Sequence, residues 1–206
     1  MFTKNWYAIS GRGLLFSSSD TIYGDKSILP YLTDVSGNSI PGDRSDYNSN
    51  YERKHSMIAY GPHHAATIFK SSELYSDTNY RTSSVSPGYG VYFASGTEAE
   101  NLNSYAPGGD IFTTFTASYS REMSYDELGM TYTYNYTLTN TGDTDFTIGE
   151  VGLLGYVIED FLYSYTHYYF YHHILLERTV LETPITIPAG GVGQVTYTIR
   201  MNYPTA

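Results

Sequence analysis

The chain has no cysteine. It therefore holds neither a disulfide framework nor a thiolate metal site, and packing and assembly must fasten it instead. Basic residues are also scarce, with 11 Lys and Arg against 21 Asp and Glu and a net charge of −10. Phosphate recognition needs clustered Lys and Arg, and no such run occurs, so nucleic acid is not an expected partner. No stretch approaches the apolar length that spans a bilayer, and the opening MFTKNWYAISGRGLLF lacks the apolar core of a signal peptide. The expectation is a soluble chain made in a cytoplasm, with no membrane partner. Also missing are the G-x-S-x-G elbow, H-E-x-x-H, the P-loop and the dinucleotide fingerprint.

What is present favours sheet. Charged residues make up 16% of the chain and hydrophobic ones 41%, the balance being Tyr, Thr, Ser, Asn and Gly, a β composition rather than a helical one. The 24 tyrosines suit half-wet sheet faces and contact surfaces, because each packs a ring while its hydroxyl keeps a hydrogen bond.

The most regular stretch is MTYTYNYTLTN, from Met130 to Asn140. Met130, Tyr132, Tyr134, Tyr136 and Leu138 share one parity, and Thr131, Thr133, Asn135, Thr137 and Thr139 share the other. A period of two predicts a strand with one buried face. Thr141-Gly142-Asp143 then supplies a turn, after which Phe146 and Ile148 resume the alternation. Ile111 to Tyr119 alternates before this central strand. Val151 to Val157 and Ile174 to Val180 read as buried apolar strands. Ile185 and Ile187 alternate between Pro184 and Pro188, and Val195, Tyr197, Ile199 and Met201 alternate after the turn Ala189-Gly190-Gly191. With a short strand over Gly90 to Ala94, this makes about seven strands at turn-punctuated spacing. That is the signature of an antiparallel β-sandwich, Ig-like or jelly-roll-like.

The front half is different. Residues 17–60 are polar and rich in turn formers, with a single short strand expected around Ile28 to Leu32. Structureless stretches of this length usually mark functional or partner-ordered segments. The expected organisation is a loop-rich region over 1–109 packed on a sandwich core over 110–206, as one continuous domain. Trp6 lies in an apolar N-terminal segment that is expected to dock, either on its own core or on a neighbouring subunit.

Several constellations are candidates for chemistry. Glu150 and Arg178 both sit in runs that read as buried strands, where a carboxylate needs a match and a guanidinium supplies one. A structural salt bridge or interface pair is the expectation. Tyr163, Tyr165, His167, Tyr168, Tyr169, Phe170, Tyr171, His172 and His173 form the densest aromatic segment in the chain. Such rings dominate interface hot spots and also stack on sugars, so subunit contact, hairpin packing and glycan contact stay open for Tyr163, Tyr165, Tyr168, Tyr169, Phe170 and Tyr171. Adjacent histidines on a strand point to opposite faces, so His63-His64 and His172-His173 each offer one ligand per face. No metal or other cofactor is expected. Glu98, Glu100, Asp126, Glu127, Glu159 and Asp160 lie in acidic pairs of the kind that are usually solvated, and no catalytic residue is assigned. The sequon Asn135-Tyr136-Thr137 lies within the central strand and is set aside.

The back half resembles a family of small tailed-bacteriophage virion proteins. The resemblance rests on the TN-x-G turn at Thr139, Asn140 and Gly142, and on the I-x-E-[IV]-G-L strand at Ile148, Glu150, Val151, Gly152 and Leu153. It continues through the L-x-R segment at Leu176 and Arg178 to the closing hairpin at Pro184, Ile185, Ile187, Ala189, Gly190, Val195, Tyr197 and Ile199. The opening MFTKNWY and the middle GVYFASGTEAENLNSYAPGGDI are similar to the same family. Where that pattern has a short hairpin loop, this chain carries IEDFLYSYTHYYFYHH. The resemblance implies a non-enzymatic structural component of the particle, on tail, neck or capsid surface. Its partners would be other virion proteins and copies of itself, and its location the virion, assembled in the host bacterial cytoplasm. The alternative is a receptor- or carbohydrate-binding module at a tail tip or fibre, with a host-surface glycan as ligand.

Overall fold

The computed structural model describes residues 1–6, 32–40, 44–46, 51–58, 74–76, 90–163 and 166–202; at 44–46, 51–58, 74–76, 158, 160–163, 166–171 and 201 it gives the backbone path alone. Strands are numbered in chain order. The alternation around Tyr134 builds β6 (Gly129–Asn140), the middle strand of a three-stranded antiparallel sheet between β5 (Phe115–Asp126) and β9 (Val192–Asn202). Tyr134, Tyr136 and Leu138 are buried, as are Val195, Tyr197 and Ile199 beside them on β9. The Thr and Asn residues of the other parity face outward, as the period of two requires.

The larger antiparallel sheet is built on a long hairpin of β7 (Phe146–Tyr163) and β8 (Thr166–Ile187). On the other side of β7, β4 (Gly90–Ala94) pairs with 150–154 and β2 (Tyr51–Ile58) pairs with 156–163. β1 (Arg44–Asp46) lies beyond β2, and β3 (Leu74–Ser76) pairs with β8 at 168–170. The chain is thus an all-β sandwich of two antiparallel sheets.

Between the sheets, Val91, Phe93, Ile148, Val151, Leu153, Val157, Ile174, Leu176 and Ile187 meet the buried side chains of β6 and β9. Phe93 stands edge-on to Phe115 (5.8 Å, 86°) and to Tyr136 (5.5 Å, 77°), an arrangement that the ring quadrupoles favour. The outer face of the larger sheet is apolar too. Tyr92, Ala94, Leu154 and Leu175 lie there under Val35, Ala106 and Ile111. A strand covered on both faces reads as a continuous apolar run, which accounts for VGLLGYV.

The structure departs from the sequence expectation in three places. Two stretches expected as separate strands, 174–180 and 185–187, belong to one β8 that also takes in the aromatic segment from Thr166. An irregularity absorbs Pro184: the register steps from Ile148↔Ile185 to Glu150↔Val180, leaving extra residues on β8 where a proline needs no ladder partner. The strand expected over 111–119 starts at Phe115 and runs on to Asp126. The front half contributes β1, β2 and β3, which the sequence pattern does not show. Of the strand expected around Ile28 to Leu32, only Leu32 is among the described residues; it is fully buried.

Candidate functional site

A second irregularity places the polar centre of the molecule. Ile148 and Val151 both face the interior although their parities differ, because the ladder shifts between Ile148 and Glu150. Glu150 is thereby turned to the outer face of the sheet, with Val180 opposite it and Arg178 diagonal to it across from Gly152. The guanidinium reaches the carboxylate twice: Nε donates to Oε2 at 2.6 Å, and Nη2 lies 2.6 Å from the same oxygen. Neither side chain is more than 5% exposed.

The cover over this pair is the excursion 95–110. Ser95 and Asp110 close its base, the Ser95 amide donating to the Asp110 carbonyl and the Asp110 amide to Ser95 Oγ, each at 3.0 Å. From the strap, Gly108 N–H donates to Glu150 Oε1 at 2.8 Å, and Ala99 presents its carbonyl 3.4 Å from Arg178 Nη1. Glu100 Oε1 accepts the Val180 amide at 3.0 Å. The strap comes this close because it is glycine there: a methyl group on Gly96 would run into the Glu150 carboxylate, and one on Gly108 into Arg178 Nη2. Tyr92, fully buried beside the pair, has its phenol held well above the ordinary range, first by burial and then by the Glu150 and Glu177 charges.

Glu177, the residue before Arg178, faces the opposite way, into the sandwich. Tyr197 donates its hydroxyl to Glu177 Oε2 at 2.6 Å, and Thr179 donates to Oε1 at 2.6 Å. Burial, followed by the Glu177 charge, raises the Tyr197 phenol well above its usual value. The Met1 amine lies 2.9 Å from Glu177 Oε1 and 3.0 Å from Glu100 Oε2, and it also donates to the Arg178 carbonyl. Burial works against its charge, but the two carboxylates outweigh that effect and raise its pKa. The amine is held there by backbone pairing of residues 1–3 along β8. Thr3 N–H donates to Leu176 O and Arg178 N–H to Met1 O, each at 3.0 Å.

Trp6 stacks on Phe2 at 4.5 Å and 15°, and both rings pack on the sandwich core. Tyr163 lies at the end of β7, and Tyr168, Tyr169, Phe170 and Tyr171 lie on β8. Their backbone registers are Tyr163↔Thr166, Phe161↔Tyr168, Asp160↔Tyr169, Glu159↔Phe170 and Ile158↔Tyr171. Tyr165, His63 and His64 lie outside the described residues. His172 Nε2 sits 2.9 Å from Glu159 Oε2 and its Nδ1 3.8 Å from Asp34 Oδ2. Among the described residues no three His, Asp or Glu side chains converge on a metal position. Glu98, Asp126 and Glu127 are exposed, and Asp126 is bound by Arg200 at 2.9 and 3.0 Å.

Sequence reasoning passes over Glu177 and the glycines of the 95–110 strap, sets Glu100 among the solvated acids, and reads Tyr197 only as a strand residue. One signal was available: Glu177 and Arg178 are consecutive in an apolar strand, so at least one of them had to find a partner inside the fold. Chemically, the centre is a set of matched charges closed by backbone. No family model, no curated protein and no solved structure matches this chain.

Proposed function

We propose that this chain is a non-enzymatic structural component of a bacteriophage virion, assembling through protein–protein contacts on the tail, neck or capsid surface. The observation that carries the reading is the β7–β8 hairpin. Its strands hold 18 and 22 residues, against 12 and 11 in β6 and β9. At about 3.3 Å per residue the hairpin is roughly 60–70 Å long and the second sheet spans about half of it. The far half carries Tyr163, Tyr168, Tyr169, Phe170 and Tyr171, residue types that dominate hot spots at protein interfaces.

The positions behind the family resemblance support the same reading, because their work is fastening. Asn140 is buried at 1% exposure; its amide donates to Thr144 O (2.8 Å) and Ile187 O (3.1 Å) while its Oδ1 accepts from Gly142 N–H. Glu150 and Arg178 hold the strap to the sheet. Other virion proteins and further copies of this chain are the partners this implies, and the virion is its location. The net charge of −10 would keep free subunits apart and soluble before assembly. The test is quantitative mass spectrometry of gradient-purified particles. A fixed copy number with the native chain, lost with Tyr168→Ala plus Tyr169→Ala, is expected. A chain absent from particles overturns the proposal.

One observation favours a second reading, a receptor- or carbohydrate-binding module. The outer face of the smaller sheet carries a shallow groove of about 440 Å³ walled by Ser118, Thr137 and Gln194 on one side and Ser120, Asn135 and Thr196 on the other. Thr196 donates to Asn135 Oδ1 at 2.8 Å, which engages the oxygen of this amide and leaves its hydrogens as donors for a neutral polyol. A glycan array separates the readings: specific sugar binding that Asn135→Ala removes favours the module.

A further inference from the structure

We infer that the α-amine of Met1 is a covalent switch: as a free ammonium it latches residues 1–4 and the Glu100 arm of the strap to β8, and an acyl group on it releases them. The amine sits where three pieces of chain meet. Glu177 Oε1 lies 2.9 Å from it and Glu100 Oε2 3.0 Å, and the Arg178 carbonyl accepts from it as well. An ammonium carries three hydrogens and no acceptor. Each hydrogen here has a partner, one on an inward side chain of β8, one on the strap and one on the β8 backbone.

An acylated nitrogen does not fit this place. It keeps one hydrogen, loses its charge and brings a carbonyl oxygen that needs a donor of its own. Two carboxylates then converge on a neutral group. Glu100, 27% exposed, can turn to water, but Glu177, at 8%, is held inside. Its other partners, the hydroxyls of Tyr197 and Thr179, donate hydrogen bonds without bringing charge. Among the described residues no other cation lies within salt-bridge distance of either carboxylate. Removing one member of a buried pair strands the other, which is strongly unfavourable, and the short pairing of residues 1–3 along β8 is all that opposes release.

The extent of the release is set by four backbone amides. Thr3 N–H donates to Leu176 O and Arg178 N–H to Met1 O, each at 3.0 Å, and Lys4 N–H donates to Leu102 O at 3.1 Å. The Val180 amide donates to Glu100 Oε1 at 3.0 Å. All four bonds depend on where residues 1–4 and Glu100 sit. The closing reaction is the hydrolysis of an N-acyl group. Water adds across the C–N bond, the acyl part leaves as a carboxylate, and the proton it gives up completes the ammonium.

The latch stands apart from the virion reading and is tested on the purified full chain. Three preparations differ only at this nitrogen. One has the free amine; one is N-formylated, made with the expression host's deformylase inhibited and verified by mass; one carries a glycine ahead of Met1, which makes the nitrogen an amide and moves the charge outward. Hydrogen exchange is read at Thr3, Lys4, Arg178 and Val180, with the Gly142 amide, 2.9 Å from Asn140 Oδ1, as a distant reference. Because hydrogen bonds to charged groups are among the stronger ones, the four amides should exchange about tenfold faster or more in both capped forms. Gly142 should not change. Glu177→Gln removes the charge that capping strands, so in that background capping should alter the four rates far less. Equal exchange in free and capped chains, acceleration that extends to Gly142, or an undiminished effect of capping in Glu177→Gln overturns the switch.

Discussion

The Tyr197 hydroxyl on β9 donates to the Glu177 carboxylate on β8 across 2.6 Å, so the two sheets are joined by a charge-assisted hydrogen bond as well as by packing. Removing the donor leaves the carboxylate in place, 6% exposed, with one fewer partner. Hydrogen bonds to charged groups contribute about 1.5–3 kcal/mol. Tyr197→Phe should therefore lower the melting temperature by about 3–12 °C in a chain of this size, while Thr179→Ala, at a half-buried position, should lower it less. Differential scanning calorimetry reads both. Equal effects would mean that the sheet-to-sheet bond has no special weight.

Alkaline pH should open the same region. The Tyr197 phenol is raised by burial and then by the Glu177 charge, and the Tyr92 phenol by burial and then by Glu150 and Glu177. Both folded values stand above the ordinary value of about 10 in the unfolded chain. The stability supplied by the neutral phenols is therefore whole below pH 10 and falls as the pH climbs from there toward the folded values. Absorbance at 295 nm should show a cooperative step that coincides with loss of the sheet signal in circular dichroism. Tyr92→Phe should move that step to higher pH. A smooth titration of all phenols without unfolding would contradict this.

The Glu150–Arg178 pair should behave asymmetrically. Removing one partner strands a charge in a dry site, which costs about 3–5 kcal/mol, whereas replacing both with apolar groups is often neutral or better. Arg178→Met alone should be severely destabilised, since Glu150 is fully buried. The double variant with Glu150→Leu should recover most of the loss in chemical denaturation. It should not recover the strap, whose Gly108 amide then lacks its acceptor. Equal destabilisation by the single and double variants would place the energy in packing rather than charge.

How far the sequence carried depended on whether a segment has one covered face. β6 was legible because Tyr134, Tyr136 and Leu138 meet the opposite sheet while the residues between them face outward. The second half of β5, SREMSYD, was not, because every residue there is exposed and no period survives without burial. β2 reads YERKHSMI and owes its strand to pairing with β7, a long-range contact that leaves no local trace. At the polar centre, Glu150 and Arg178 were conspicuous as charges within apolar runs. Of the partners of Glu177, Thr179 lies two positions on along the same strand face, but Tyr197 is 20 positions away and the Met1 amine 176, and no spacing rule reaches those two. Gly96 and Gly108 fall in a polar stretch without a period, and their role, to let backbone approach a buried ion pair, shows only in the fold.

Two glycines that look alike in sequence should therefore respond differently to the same substitution. Gly190 sits in the turn before β9 at φ +68°, with nothing within 4 Å of where a side chain would begin. Gly190→Ala costs only the left-handed conformation, about 1 kcal/mol, and Gly190→Asn should restore much of it because Asn tolerates that region. At Gly108 the obstacle is space, since an added methyl meets the Arg178 guanidinium and the Glu150 carboxylate. Gly108→Ala should force the strap away from the sheet, and Gly108→Asn, being larger, should be worse rather than better. Hydrogen exchange at residue 108, whose amide donates to Glu150 Oε1 at 2.8 Å, reports the opening directly. It should accelerate in both Gly108 variants and stay unchanged in both Gly190 variants. If Asn rescues Gly108 as it does Gly190, the strap is held by backbone conformation and the close approach to the ion pair is incidental.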